Sequence, residues 1–457
     1  MRSVKISPNL SAFSFQLSAR SRLCFSTFFA PKVLLLILVF QLLLPSCAIS
    51  ADYKLITSVA GIYEYNDNIF FDDDTVISDS IYTVAPRLEW VRAGERLTAR
   101  ADGKVEFYRY QDNDELDDTD QWYNASLGYQ LTERWQVSAQ GHVSDDNRPD
   151  RDIETTGLVL GSVRRKRSNV GASASYMISE MTSAGVYAEF NRENFDDPET
   201  SDRKDCSVVL FMNRSLERWL ARTTGRLNLS YSHYTFDREY DYENDLGVYD
   251  MVITIDDELE MDSTSLTVGT ETALTEKFDL TVDLGARHSR SERVVAQTLS
   301  YYWDADDPST LIGRSVYPNE DDYDSFGFVG SLDATYRGER SSCTLSLSHD
   351  LQPVSGDNAA VNRTTVRLGG NLRLLERLTI SGFLQWYLNV SDEDDPTQDD
   401  TDEQTWNAGG SLRWKLNDTF DLAANYGYTF RDDREDDTTT HRSKVLLQLI
   451  ASHDWLR

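Results

Sequence analysis

Leu97–Tyr110 reads LTARADGKVEFYRY. One parity carries Leu97, Ala99, Ala101, Gly103, Val105 and Phe107, and the other carries Thr98, Arg100, Asp102, Lys104, Glu106 and Tyr108. Successive side chains of a strand point to opposite faces, so this segment has one apolar face and one charged face. On a helix the same charges would spread round the whole surface and leave no apolar stripe. The apolar parity is thin, built from small residues with an aromatic at its end. That makes a poor core for a soluble domain but a good surface for lipid tails, provided the charged parity meets water in a lumen. The segment therefore predicts an all-β chain, a transmembrane antiparallel up-and-down β-barrel in which this unit recurs.

The recurrence is present. Tyr123, Ala125, Leu127, Tyr129 and Leu131 share one parity, as do Phe278, Leu280, Val282, Leu284 and Ala286. Phe420, Leu422, Ala424, Tyr426, Tyr428 and Phe430 form another such row. In the second strand Pro86 lies on the apolar parity, which predicts a bulge or an edge there. Two kinds of connection alternate. The short ones include 92–96 (RAGER), 132–134 (TER), 275–277 (TEK) and 375–377 (LER). The long ones are rich in Asp and cover 66–79, 111–119, 145–167, 192–204, 236–262, 289–322, 352–362, 391–404 and 431–442. Short periplasmic turns and longer outer loops are the asymmetry of outer-membrane barrels. The segment 156–163 (TGLVLGSV) has strand-like content. Assigning it to the third long loop keeps every short turn on one side and gives about 18 strands, with 16 as the alternative count.

Composition agrees with this reading. Mean hydropathy is −0.49, which excludes a bundle of membrane helices. Aromatics make up 11%, including 23 Tyr and 9 Trp, the residues that favour membrane–water interfaces. Trp90, Trp135, Tyr176, Tyr336, Trp414 and Phe420 flank short turns, whereas Tyr65, Phe107, Tyr123, Phe190, Phe326 and Phe430 flank long loops. Two belts one membrane apart form a girdle, although strands are enriched in aromatics in any case. Net charge is −31, which excludes a nucleic-acid partner because cationic patches are lacking. Residues 1–50 contain no acid and have Arg20, Arg22 and Lys32 ahead of an apolar run at 33–44. This is expected to be a signal peptide with a long basic region, cleaved before Ala51, with the barrel occupying 51–457. A lipoprotein reading would use Cys47. Past the leader, Cys206 and Cys343 fall on apolar parities at opposite ends of their strands, so they are expected to stay unpaired.

Residues 60–71 (AGIYEYNDNIFF), followed by 78–90 (SDSIYTVAPRLEW), resemble the opening of the porin-2 type β-barrel family. Its members begin with a Y-x-D-N-(I/V)-F knuckle, a polar loop and a D-x-I-x-x-x-x-P strand. The recurrent turns Leu131-Thr132-Glu133-Arg134 and Leu274-Thr275-Glu276-Lys277 fit as well. The resemblance implies an outer-membrane barrel. It also implies a role in polysaccharide export, since such barrels are often encoded beside exopolysaccharide or exosortase systems.

No HExxH, GxSxG or CxxC motif occurs, so neither an enzyme nor a cofactor is expected. The Asp-rich loops lack a calcium-loop pattern and read as solvated loops. The residues expected to line the lumen are Arg100, Asp102, Lys104, Glu106, Arg226, Glu271, Asp283, Arg287, Asp333, Arg367, Arg373 and Arg413. They either screen passing solutes across the lumen or pair with one another along the wall. The longest connections, 236–262 and 289–322, are the expected constriction or plug. The expected partners are outer-membrane lipid, the barrel-assembly machinery and possible polysaccharide. The function expected is a porin-like channel, against a non-conducting barrel that anchors a surface polymer.

Overall fold

The computed structural model describes residues 52–148, 153, 156–158, 163–245, 250–302, 311–357, 359–391 and 401–456. The expected leader at 1–50, most of the acidic run at 391–403 and residues 159–162 of TGLVLGSV lie outside them. Among the described residues there are eighteen strands. The first nine are β1 (Asp52–Asn66), β2 (Asp79–Ala93), β3 (Leu97–Tyr110), β4 (Asp118–Gln130), β5 (Trp135–Asp146), β6 (Arg165–Ser179), β7 (Thr182–Phe195), β8 (Asp202–Ser215) and β9 (Thr223–Asp245). The rest are β10 (Asp250–Ala273), β11 (Phe278–Tyr302), β12 (Leu311–Arg337), β13 (Ser341–Pro353), β14 (Ala360–Leu375), β15 (Leu378–Val390), β16 (Asp402–Lys415), β17 (Phe420–Asp433) and β18 (Thr438–Asp454).

Every strand pairs antiparallel with its sequence neighbour, and β1 closes on β18 from Ile56↔Asp454 to Asn66↔Lys444. Closure leaves no free end to the sheet, which is what lets a β structure cross hydrocarbon. Val59, Tyr82, Leu88, Phe107, Leu127, Leu284, Leu368 and Leu447 are exposed on the outer parity, as lipid contact requires. Trp135 and Tyr176 sit 4.8 Å apart beside short turns, and Trp386 and Trp406 sit 6.1 Å apart toward the other rim. The Thr-Glu-Arg and Thr-Glu-Lys turns have a local cause. Thr132 Oγ1 accepts from the Arg134 and Trp135 N–H groups at 3.2 and 3.1 Å, and Thr275 Oγ1 accepts from the Lys277 N–H at 3.2 Å. These hydroxyl-capped turns hold the strands without glycine. Pro86 breaks the β2–β3 ladder between Val84↔Phe107 and Arg87↔Lys104. The register resumes unchanged, so pairs are lost but no residue is inserted. Cys206 and Cys343 are free and exposed.

The Y-x-D-N-I-F knuckle is a clasp at the closing seam. Asn68 Nδ2 donates to Asp72 O at 2.7 Å and to His441 O on β18 at 3.3 Å, and the Ser443 N–H donates to Asp67 Oδ1 at 2.7 Å. Phe71 adopts φ 54° and is buried under the Arg442 guanidinium, 5.0 Å from its ring centroid. The motif thus ties the first strand's loop to the last strand.

One expectation is corrected. The described residues of segments 236–262 and 289–322 are strand, not loop. They continue β9, β10, β11 and β12 to 23, 24, 25 and 27 residues, against 12–17 in the other strands. About ten additional residues at ~3.3 Å each raise a ribbon roughly 30 Å along the strand beyond the band. Its inner parity buries Phe236, Leu259 and Met261, while its outer parity presents Asp256, Glu258, Glu260 and Asp262. Asp257 accepts from Arg293 Nε and Nη2 at 2.9 and 2.7 Å and from Arg238 Nη2 at 2.9 Å.

Candidate lumen constriction

Among the described residues, two loops enter the barrel. The first, 147–164, is held at both feet by Asp118 on β4, where Oδ2 accepts from Asn147 Nδ2 at 2.6 Å and from Arg164 Nη1 at 2.7 Å. Arg164 Nε also lies 2.8 Å from Asp145, so although burial opposes its charge, Asp118 and Asp145 push its pKa up. Arg148 reaches β1 and donates through Nη2 to both oxygens of Glu64, at 2.9 and 3.0 Å. The tip then meets the opposite wall. Thr405 Oγ1 on β16 donates to Gly157 O at 2.5 Å, and Asn389 Nδ2 on β15 donates to Thr156 O at 3.1 Å. β6 and β15 are nine places apart in a ring of eighteen, so Thr156 and Gly157 sit half the circumference from the loop's root.

Gly157 is the position that permits this contact. Its φ is +76°, and a Cβ there would lie 2.6 Å from Tyr387 Cβ. A side chain would meet both the left-handed backbone penalty and the wall itself.

The second loop, 354–359, joins β13 to β14. Ser201 between β7 and β8 bridges to Gly356, and the Ser201 N–H donates to Gly356 O at 3.0 Å. Ser355 Oγ donates to Glu193 Oε1 on β7 at 2.7 Å. Glu193 is buried and gathers three guanidinium groups, with Arg167 at 2.7 Å, Arg165 at 3.2 Å and Arg203 at 3.4 Å. Asp146 and Asp205 balance Arg165 and Arg203 at 3.3 and 3.2 Å. The two loops meet through Leu158, Val354, Ala359 and Val361, a small buried apolar cluster inside the barrel. Buried charge is tolerated here because each group has opposite charge and hydrogen bonds within reach.

The twelve residues expected to line the lumen lie on the parity opposite the exposed apolar side chains of their strands, and they do not converge. Arg100 contacts Glu89 at 3.1 Å, while Asp102 takes Arg87 at 3.3 Å. Lys104 pairs with Glu106 at 2.9 Å and lies 4.1 Å over the Trp122 ring. Arg226 faces Asp283 at 3.5 Å, Arg413 faces Asp421 at 2.5 Å, and Asp333 accepts from Ser346 Oγ at 2.6 Å. Arg287 meets Asp350 at 3.6 Å. Glu271 lies on β10, and Arg367 and Arg373 lie on β14. These contacts run along the wall, between neighbouring strands or, for Arg226–Asp283 and Arg287–Asp350, across one intervening strand. The residues that build the constriction are others: Glu64, Asp118, Arg148, Gly157, Glu193, Arg165, Tyr387 and Thr405. One signal for them was present. The apolar run in TGLVLGSV is out of place in an Asp- and Arg-rich loop unless that loop packs against something.

A closed eighteen-strand barrel, with a lipid-facing exterior and a polar lumen crossed by loops, defines a porin-like protein of the outer membrane. Residues 66–199 match the family model described as "Putative MetA-pathway of phenol degradation", a match that begins at the knuckle and runs past β7. No curated protein matches the chain. Among solved structures it is similar to OccK1 (OpdK) of Pseudomonas aeruginosa, at 10% identity and TM-score 0.42, over 88% of this chain and 99% of that one. OccK2 (OpdF) of the same organism gives 9% identity and TM-score 0.38 over 89% and 99%. The siderophore receptor PirA from Acinetobacter baumannii gives 8% and 0.41 over 89% and 81%.

Proposed function

We propose that this protein is a passive channel for small polar solutes, with loops 147–164 and 354–359 setting its narrowest section. The observation that carries the reading is the seat of Thr156 and Gly157 on β15 and β16, half a circumference from the loop's root. A barrel of this size would leave an aqueous channel, and loops anchored across it narrow that channel while leaving charged walls. The inward rows around Arg100, Asp102, Lys104 and Glu106, with Arg226, Glu271, Asp333, Arg367, Arg373 and Arg413, supply a lining of both signs. Such a lining favours hydrated and zwitterionic solutes over apolar ones. Loops that cross the lumen support small solutes rather than export of a polymer chain.

Planar-bilayer recording of the purified chain tests this. Discrete steps in current, with liposome swelling in monosaccharides faster than in long oligosaccharides, are the expected result. A barrel that inserts but stays silent in both assays would overturn it and favour a structural role at the cell surface.

A further inference from the structure

The wall has one short seam. β12 pairs with β13 only from Gly330↔His349 to Arg337↔Ser342, a shorter ladder than any other described for the barrel. Beyond it, Val329, Phe328, Gly327 and Phe326 pair with β11 alone, and Asp350 to Pro353 pair with β14 alone. Val329 stands eight residues above Arg337. At ~3.3 Å per residue and a tilt of about 40°, the split opens roughly 20 Å above the short-turn side, in the outer half of the apolar band. Unpaired backbone at that depth is costly. Part of it is answered locally, since the Leu351 N–H donates to Asp350 Oδ1 at 2.8 Å.

A side chain spans the split. Arg287 on β11 is buried, donates through Nη2 to Asn362 Oδ1 on β14 at 3.1 Å, and holds Nη1 3.6 Å from Asp350 on β13. Its register partner on β12 is Gly327, where a Cβ would lie 2.5 Å from Arg287 Nη2. The glycine lets the guanidinium cross β12 and join the two sides. Next to the split lies a cavity of about 460 Å³, lined from both faces of the wall by Asp283, Val329, Gly330, Ser348, His349 and Arg363 among others. Asp283 Oδ1 is buried and accepts no hydrogen bond from the described residues. On the lipid side, Phe326 and Phe328 are exposed at 83% and 54%, and the Phe328 ring stacks 6.1 Å from His349.

We propose that the β12–β13 seam is a lateral port between the lumen and the outer leaflet, latched by Arg287. It takes a small amphiphile whose hydroxyl-bearing head enters the cavity toward Asp283 while its apolar tail stays against Phe326 and Phe328. The polar interior, the aromatic outer edge and the missing ladder coincide at this one place. The port is independent of whether the main lumen conducts.

The test uses the full chain in lipid bilayers with Cys206→Ser and Cys343→Ser. The probe is a decyl glucoside carrying a diazirine at the head end of its tail, with adducts located by mass spectrometry. Segments 326–331 and 348–352 are expected to label at least five-fold above other lipid-facing strands. A disulfide across the split, from Phe328→Cys with Leu351→Cys, is expected to lower labelling at least five-fold relative to the same double variant with its thiols reduced. Arg287→Ala raises it several-fold. Labelling no higher at the seam than elsewhere would overturn the port, as would labelling that the closed disulfide leaves unchanged. Where the two cysteines do not join, unchanged labelling in Arg287→Ala overturns it.

Discussion

Gly157→Ala adds a single methyl group to the tip of the crossing loop and tests the constriction directly. The left-handed backbone at φ +76° costs an alanine about 1–2 kcal/mol. The new Cβ would lie 2.6 Å from Tyr387 Cβ, an atom fixed to the wall, so the tip must withdraw. Withdrawal breaks the Thr405–Gly157 and Asn389–Thr156 hydrogen bonds, each contributing about 1 kcal/mol net. Those bonds are lost on release in the wild type as well, so the change in the ratio of seated to released loop comes from the strain on the seated tip. The backbone cost and the overlap with Tyr387 together are at least about 1.4 kcal/mol, a fall of about ten-fold or more. The ladder of eighteen strands is untouched, so the heat-modifiable shift of the folded barrel on gels should be retained. Single-channel conductance in planar bilayers should rise, with longer-lived open levels and faster swelling in disaccharides. Wild-type conductance in a barrel that is folded by the gel criterion would refute the argument, because it would mean that Thr156 and Gly157 do not bound the path.

Three other perturbations separate the parts of the structure. Glu193→Ala leaves Arg165, Arg167 and Arg203 around a buried vacancy, and breaking such a cluster costs about 3–5 kcal/mol; limited proteolysis should then cut within 354–359, where wild type resists. Val105→Arg, on the lipid parity, should impair assembly by about 2–4 kcal/mol near the midplane, whereas Lys104→Ala should not; equal folded yields for the two would count against the parity assignment. Asp257 lies in the ribbon above the band, where burial pushes its carboxyl up but Arg293 and Arg238 outweigh this and hold it below the ordinary range. With a depressed folded pKa, its contribution is complete above about pH 3.9, the unfolded value, and is lost as pH falls through the folded one. At pH 4 the wild-type ribbon should therefore resist pepsin while Asp257→Asn is cleaved near 236–262, and equal resistance would remove Asp257 as the clamp.

What could be read from the chain, and what could not, follows from where water lies. Leu97–Tyr110 betrays its fold because hydrocarbon touches one face and water the other, and alternation is the trace of two solvents. Above the bilayer that trace fades. β9 and β10 have Asp237, Glu258 and Glu260 on the outside, so the composition of 236–262 reads as loop. Yet Tyr234 and Phe236, and likewise Leu259 and Met261, still alternate with those acids, and three of the four are fully buried on the inner side. The clue was a weaker alternation of apolar-in and acid-out, the reverse of the order within the membrane. The direction of a loop leaves still less trace, because Asn147, Arg148 and Arg164 suit an outward or an inward course equally well. Only the partners decide, and Glu64, Asp118, Asn389 and Thr405 lie on four other strands. A crossing loop is thus specified by wall residues that are idle one strand at a time, and the buried apolar Ile153 and Leu158 within it are residues whose burial requires a wall to meet.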